Sequence, residues 1–206
     1  MVQLQREWGQ RVRLEPLKGA RMIAGLDVHY GSEKAWAAVV VMTRPELALE
    51  ASYSIWSPVE AGYVSDLFVL REGPISIRVL EKLFPAPDCL LVDANGILHP
   101  RRCGLASLLG LAFDLPTIGC AKSPGRYQWT MPGPERGAWT PIELEGEVRG
   151  AALRTKAGGR PVFVSPGHRT DLDSALKLVL EMSRHRLPEP LRRAHQTAGK
   201  MHRLLG

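Results

Sequence analysis

LLVDANGILHPRRCGLASLLGLAFDLPTIGCAK, Leu90 to Lys122, is the stretch on which the fold turns. Leu90–Asp93 reads as a short, wholly apolar strand that ends in a carboxylate. Pro100–Asp114 reads as a helix whose residues (CGLASLLGLAF) are small and apolar, hence closely packed, and Thr117–Lys122 as a second buried strand. A helix between two strands carries the chain back to its starting end, so the strands pair in parallel, and loops at their carboxyl ends gather any site. Polar groups at a strand end rarely serve packing. Asp93, with His99, Arg101 and Arg102 close behind it, therefore faces something other than the core.

Upstream, three strands form a meander: Arg21–Tyr30, Ala35–Met42 and Leu47–Trp56. Gly31-Ser32-Glu33 and Arg44-Pro45-Glu46 separate them, and breaks so short make the pairing antiparallel. Pro74–Phe84 predicts a helix, with proline in its first turn and Ile77, Leu80 and Leu83 on one side. Downstream, residues 123–141 are rich in Gly and Pro and read as a surface loop or lid. Strands follow at Val148–Thr155 and Pro161–Ser165. Thr170-Asp171-Leu172-Asp173 opens a helix in the manner of a capping box, and a last helix starts near Pro190. The pattern predicts an α/β fold, a ribonuclease H-like mixed sheet in which an antiparallel meander leads into parallel strands flanked by helices. With 206 residues and no internal repeat, one domain spanning 1–206 is expected.

Composition narrows the function classes. No apolar run approaches the roughly 20 residues of a membrane helix, and MVQLQREWGQRVRLE at the start lacks a signal-peptide core. Cys89, Cys103 and Cys120 are widely spaced in apolar surroundings, which argues for reduced thiols in a cytoplasmic protein. The net charge is +6, and Ser183–Gly206 carries six Lys/Arg against one Glu. Such an excess attracts polyanions, nucleic acid above all. No obligate protein partner is indicated.

Three acids sit oddly for structure. Asp27 interrupts an apolar strand, Asp93 ends one, and Glu72 precedes the predicted helix. A charge within a sheet is costly unless it is paired or metal-bound. Carboxylates converging at strand ends repel one another, and Mg²⁺, which prefers oxygen ligands, relieves that repulsion. The alternative is salt bridging to local arginines for the aspartates, and a helix-terminus charge for Glu72. In the last helix, Leu191, Ala194, His195, Ala198, Met201, His202 and Leu205 share a stripe, where His195 is either a hydrogen-bonded core residue or a ligand.

Several blocks together resemble the endonuclease V family: VDANGILHPRRCGLAS, PTIGCAKS, YVSDLFVLRE (Tyr63–Glu72), VSPGHR (Val164–Arg169) and LPEPLRRAH (Leu187–His195). Their order and spacing match over about residues 20–196. The resemblance implies a ribonuclease H-like, Mg²⁺-dependent endonuclease, with Mn²⁺ as a substitute, that cuts DNA or RNA on the 3′ side of a deaminated base, chiefly hypoxanthine. It implies Asp27, Glu72 and Asp93 as metal-binding carboxylates and His195 as a further metal and site residue. Lys122 would lie near the scissile phosphate, where a cation suits charge on phosphoryl oxygens; taken alone it is a solvated strand-end lysine. Tyr63 would belong to a wedge that enters the duplex where the base is turned out. The Ala94-Asn95-Gly96 turn would lie against nucleic acid, and His99 and Arg101 would position backbone or helix near the site. Arg101 and Arg102 could equally pair with acidic residues of the core.

Two motifs depart from the family. The wedge, usually Tyr-Ile-Pro-Gly, reads Tyr63-Val64-Ser65-Asp66, and a usual Gly-x-Gly reads Ala94-Asn95-Gly96. Asp66 and Ala94 put bulk, and at Asp66 a negative charge, where main chain would otherwise approach the base. Three functions follow: an endonuclease V-type enzyme acting on inosine, a nuclease of the same fold with another substrate, or a nucleic-acid-binding protein without turnover.

Overall fold

The computed structural model describes residues 1–206 apart from 60–61, 63–65 and 206. Eight strands form one mixed sheet: β1 (Met22–Tyr30), β2 (Lys34–Thr43), β3 (Leu49–Pro58), β4 (Cys89–Val92), β5 (Thr117–Ala121), β6 (Trp139–Leu144), β7 (Glu147–Leu153) and β8 (Val162–His168). Their order is β3-β2-β1-β4-β5-β8-β7-β6. β1, β2 and β3 form the antiparallel meander; β4 and β5 pair in parallel, as Leu90–Lys122 predicts, and β1 also pairs in parallel with β4. Among the described residues five helices accompany the sheet: α1 (Val2–Arg11), α2 (Phe68–Leu80), α3 (Leu105–Phe113), α4 (Leu172–Glu181) and α5 (Glu189–Leu205).

Alternation along the strands divides the core in two. Ile23, Cys89, Leu91, Ile118 and Cys120 pack with Ala175, Val179, Leu191 and Ala194 of α4 and α5. Ala24, Leu26, Leu90 and Val92 pack with Val69, Ile75, Val79, Leu105 and Leu109 of α2 and α3. The parity carries one step further. Asp27, Asp93 and Lys122 continue the α5-facing series at the carboxyl ends of β1, β4 and β5.

Gly25 shapes the approach of α5. A Cβ there would lie 2.3 Å from the Pro190 carbonyl carbon, so the missing side chain lets the helix start directly on β1. That descent brings His195, further along α5, over Asp27.

The structure corrects several local expectations. The helix predicted from Pro74 begins at Phe68, so Glu72 lies within α2 and Pro74 is interior. Gly73 eases this, because part of the clash that disfavours a helical residue before proline involves a Cβ that glycine lacks. The helix predicted from Pro100 starts at Leu105, leaving 93–104 as a loop. Residues 122–138 contain no helix or strand, but β6 begins at Trp139 within the span read as loop. Its Pro141 is tolerated because β6 is an edge strand, where a missing N–H breaks no ladder. The α1 helix was also not predicted, since its sequence is polar almost all round. Asp171 caps α4, accepting from the Ser174 N–H at 2.8 Å.

The three cysteines are free and buried, and burial pushes their thiols up. Among the described residues no helix is long and apolar enough to cross a membrane.

Candidate active site

Asp27, Glu72, Asp93, Lys122 and His195 line one cleft of about 200 Å³ at the ends of the parallel strands. Asp27 is only 5% exposed. Leu26 O accepts from the Asp93 N–H at 3.2 Å, extending the β1–β4 ladder and holding the two aspartates side by side. Glu72 reaches the cleft from α2, on the opposite face of the sheet.

A lysine occupies the middle of this group. The Lys122 ammonium pairs with Asp93 Oδ2 and lies 3.7 Å from Asp27 Oδ1. His195 Nδ1 lies 2.9 Å from Asp27 Oδ2 and 3.3 Å from Lys122 Nζ. The shorter contact, to an acceptor-only carboxylate, needs a proton on Nδ1, so Nδ1 donates to Asp27. His195 is thus a partly exposed cleft residue rather than a core one.

The electrostatics follow from crowding. Burial, then the charges of Asp27 and Asp93, hold the Glu72 carboxyl well above the ordinary carboxylate range. Burial and the neighbouring Asp27 raise Asp93 to about 6, against the pull of Lys122. Lys122 loses solvation, but Asp93 and Asp27 outweigh that and raise its pKa. These carboxylates are short of positive charge, and an ammonium standing among them marks the spot as one that accepts a cation. The oxygen-rich donor set suits a hard divalent ion. The side-chain donor atoms of Asp27, His29 and His195 also lie within 4.8 Å of one another, a group able to hold a metal.

A second cavity of about 450 Å³ adjoins the first, sharing Phe68 and Leu105 with it. Asp66, Ala94 and His99 line it, with Arg126 and Tyr127 from the 122–138 segment. The Asp66 carboxylate pairs with Arg126 at 2.6 Å, so the charge expected to stand free in this pocket is neutralised. Asp66 has φ of 61°, and its carbonyl accepts from Arg101 Nη2 at 2.6 Å and from His99 Nε2 at 3.1 Å. His99 Nδ1 accepts from the Arg101 N–H at 3.2 Å, which leaves the proton on Nε2. Burial lowers the His99 pKa to about 4, consistent with that neutral tautomer.

Other expected contacts turn inward. Gly96 packs closely on β8, where a Cβ on it would lie 1.9 Å from Pro166 O. Its N–H donates to Ser165 Oγ at 2.8 Å, so its lack of a side chain serves packing. Arg101 also bonds Gln5 Oε1 at 2.9 Å, and Arg102 pairs with Glu147, which makes both structural clamps. His168 is away from the cleft, its Nδ1 accepting from the Arg13 N–H at 3.3 Å. The expected wedge residues Tyr63 and Ser65 lie outside the described residues.

Sequence reasoning missed His29, Arg126 and Tyr127. His29 carried a usable signal, since it follows Asp27 by two on one strand and must share its face. Arg126 and Tyr127 carried none, because an irregular segment has no periodicity to orient its side chains.

Residues 6–196 match the family model for endonuclease V. An endonuclease V from Roseiflexus sp. (strain RS-1) is 45% identical over 179 residues, 86% of this chain and 81% of that protein. The chain belongs to the endonuclease V family. The endonuclease V structure from Streptomyces avermitilis superimposes with a TM-score of 0.93 at 37% identity, covering 98% of this chain and 92% of that one. A second, from Ciona intestinalis, is in complex with a 24mer DNA containing an inosine followed by a ribo-adenosine. It gives a TM-score of 0.85 at 26% identity, covering 100% of this chain and 97% of the other. Family membership makes the protein a nuclease, a hydrolase with a metal-dependent centre in a ribonuclease H-like fold, and sets aside a binding role without turnover.

Proposed function

We propose that this chain is a Mg²⁺-dependent endonuclease that cuts a phosphodiester 3′ to inosine in DNA or RNA, with Asp27, Glu72, Asp93, Lys122 and His195 as its centre. The convergence of three carboxylates and one lysine in a single cleft carries the reading. Asp27, Glu72 and Asp93 would hold Mg²⁺, with His195 beside them, and Mn²⁺ is the expected substitute. When bound, the ion supplies positive charge to the phosphoryl oxygens of an in-line displacement.

The chain's own groups supply the rest. Lys122, released from Asp93 and Asp27, would meet charge building on the phosphoryl oxygens. His195 steadies Asp27 through its Nδ1 proton. The neighbouring cavity of about 450 Å³ is within the range of small-ligand pockets and would take the everted base beside Phe68 and Tyr127. Unstacking a base costs a few kcal/mol, which such a surface offsets. Because these residues come from neighbouring central strands of one sheet and from helices on both its faces, the chain is read as one catalytic domain; it is also read as cytoplasmic, with nucleic acid as its partner.

A second reading, a nuclease whose substrate is not inosine, is favoured by one observation: Asp66 and Arg126 form an ion pair on the wall of the base cavity. Cleavage of matched oligonucleotides with inosine, uracil, xanthosine or no lesion, as DNA and as RNA with Mg²⁺, decides between them. Preference for inosine is expected; equal cleavage of all substrates would favour the second reading, and no cleavage of any would refute both.

A further inference from the structure

Helix α1 is seated on the molecule by two residues. Gln5 and Gly9, one turn apart, are buried, while Val2 and Leu4 stay exposed. A polar side chain and a missing one, rather than an apolar stripe, therefore dock the helix. A Cβ on Gly9 would lie 2.2 Å from Arg101 O, so α1 rests on the main chain of the 93–104 loop. Gln5 is 1% exposed and spends both ends of its amide there. Its Nε2 donates to Cys103 O at 3.1 Å, and its Oε1 accepts from Arg101 Nε at 2.9 Å. The first partner can only accept and the second can only donate, which fixes the orientation of the amide. Arg101 passes this anchorage on. Its guanidinium is a rigid planar fork, and with Nε tied to Gln5 its Nη2 donates to Asp66 O at 2.6 Å. His99 Nε2 donates to the same carbonyl at 3.1 Å, and the Asp66 carboxylate pairs with Arg126. Gln5, Asp66, His99 and Arg126 all line the second cavity.

We propose that Gln5 is a positioning residue for this cavity: acting through Arg101, it fixes the Asp66 carbonyl and makes α1 a determinant of base selectivity. The inference rests on the reading of the cavity as the seat of the everted base. Asp66 has φ of 61° and belongs to irregular chain before α2, so its place depends on the donors that reach its carbonyl. A wall that shifts by a fraction of a bond length misplaces the base, and small misplacements are costly to rate. The carboxylates of the neighbouring cleft are held by β1, β4 and α2 and would keep their places.

The test compares the full chain with two variants. Gln5→Met keeps the length of the side chain but neither polar atom, and Arg101→Lys keeps the charge but not the fork. Circular dichroism follows the folding of each. In the substrate-free parent, the His99 Nε2 proton, held by Asp66 O, should exchange slowly with water in a magnetic resonance experiment. In both variants it should exchange faster, with the His168 ring, bonded elsewhere, as in the parent. Cleavage with Mg²⁺ is then measured on inosine-containing and unmodified oligonucleotides. The ratio of their kcat/KM values should fall about tenfold or more in Gln5→Met, the worth of one hydrogen bond to a charged group. The double variant should fall no further than the worse single one, since both residues act along one path. An unchanged ratio, an equal fall on both substrates, or an unchanged exchange rate at His99 overturns the inference. A parent without preference for inosine would strike the proposed function, and the His99 proton would still report whether Gln5 holds the turn. A parent that prefers inosine, with a ratio that Gln5→Met leaves alone, would strike this inference alone.

Discussion

Lys122 holds its ammonium against Asp93 and near Asp27, and that arrangement makes the carboxylates separable by experiment. Asp93→Asn keeps the side-chain shape but removes a charge that the ion needs. Mg²⁺-dependent cleavage should be abolished with the fold and nucleic-acid binding near normal, and turnover at the parent rate would refute the assigned centre. Asp93 also makes a pH prediction. Its folded pKa of about 6 lies above the ordinary 3.8, so the folded chain holds this proton more tightly than the unfolded chain. Stability from that proton is present in full below about pH 4 and is lost as pH rises through about 6. Relative to Asp93→Asn, the metal-free parent should lose stability across that window, read as unfolding free energy against pH. A difference that grows with pH would contradict the assignment. Asp66 lends itself to a second substitution. Its φ of 61° suits glycine, so Asp66→Gly with Ala94→Gly should fold, free Arg126, and raise the inosine-to-unmodified cleavage ratio. The gain is on the scale of one or two hydrogen bonds, about 0.5–1.5 kcal/mol each. An unchanged ratio would mean that these two side chains do not shape the pocket.

At the scale of elements, the cleft depends on how closely α5 meets β1. Gly25→Ala would place a Cβ 2.3 Å from the Pro190 carbonyl carbon and 2.4 Å from the Leu191 nitrogen, which are backbone atoms that cannot swing aside. The helix start must lift, costing about 1–3 kcal/mol by overpacking and drawing His195 away from Asp27. Thermal unfolding should show the loss, and cleavage at a temperature where the variant is fully folded should fall as well. A variant with parent stability would mean that α5 is free to shift. Helix α2 reaches the cleft by a different device. Gly73 lets the helix run through Pro74, which extends it back to Phe68 and puts Glu72 on a rigid element. A helix starting at Pro74 would have left Glu72 on a mobile approach, poorly suited to holding an ion between fixed strands.

Across the whole molecule, the charge of +6 bears on association. Binding to nucleic acid should weaken steeply with salt, because each phosphate neutralised by Lys or Arg releases counterions, with a log–log slope of about −0.7 to −0.9 per contact. Affinity unchanged between low and physiological salt would remove the basic surface from the account. The structure also sorts the basic residues. Arg192 is tied to Glu189 at 2.7 Å and Arg102 to Glu147, so part of the positive count is already paired within the protein. Arg126 faces the second cavity, where its partner Asp66 competes with any phosphate for it.

The amino-acid sequence by itself determined the meander, the parallel β4–β5 pair and the oddity of Asp27 and Asp93. Strand periodicity and turn residues are local, and an acid in an apolar run stands out without any knowledge of its neighbours. Strand parity joins Asp27, His29, Asp93 and Lys122 on one face only once the pairing of β1, β4 and β5 is known. What the sequence left open depended on contacts between distant segments. The extension of α2 through Pro74, the edge position that tolerates Pro141, and the turning of Gly96 toward Pro166 each follow from which element lies alongside. The pairing of Asp66 with Arg126 joins residues sixty apart in irregular chain. No local pattern encodes such a meeting, because it is set by how the packed sheet and helices bring two loops together.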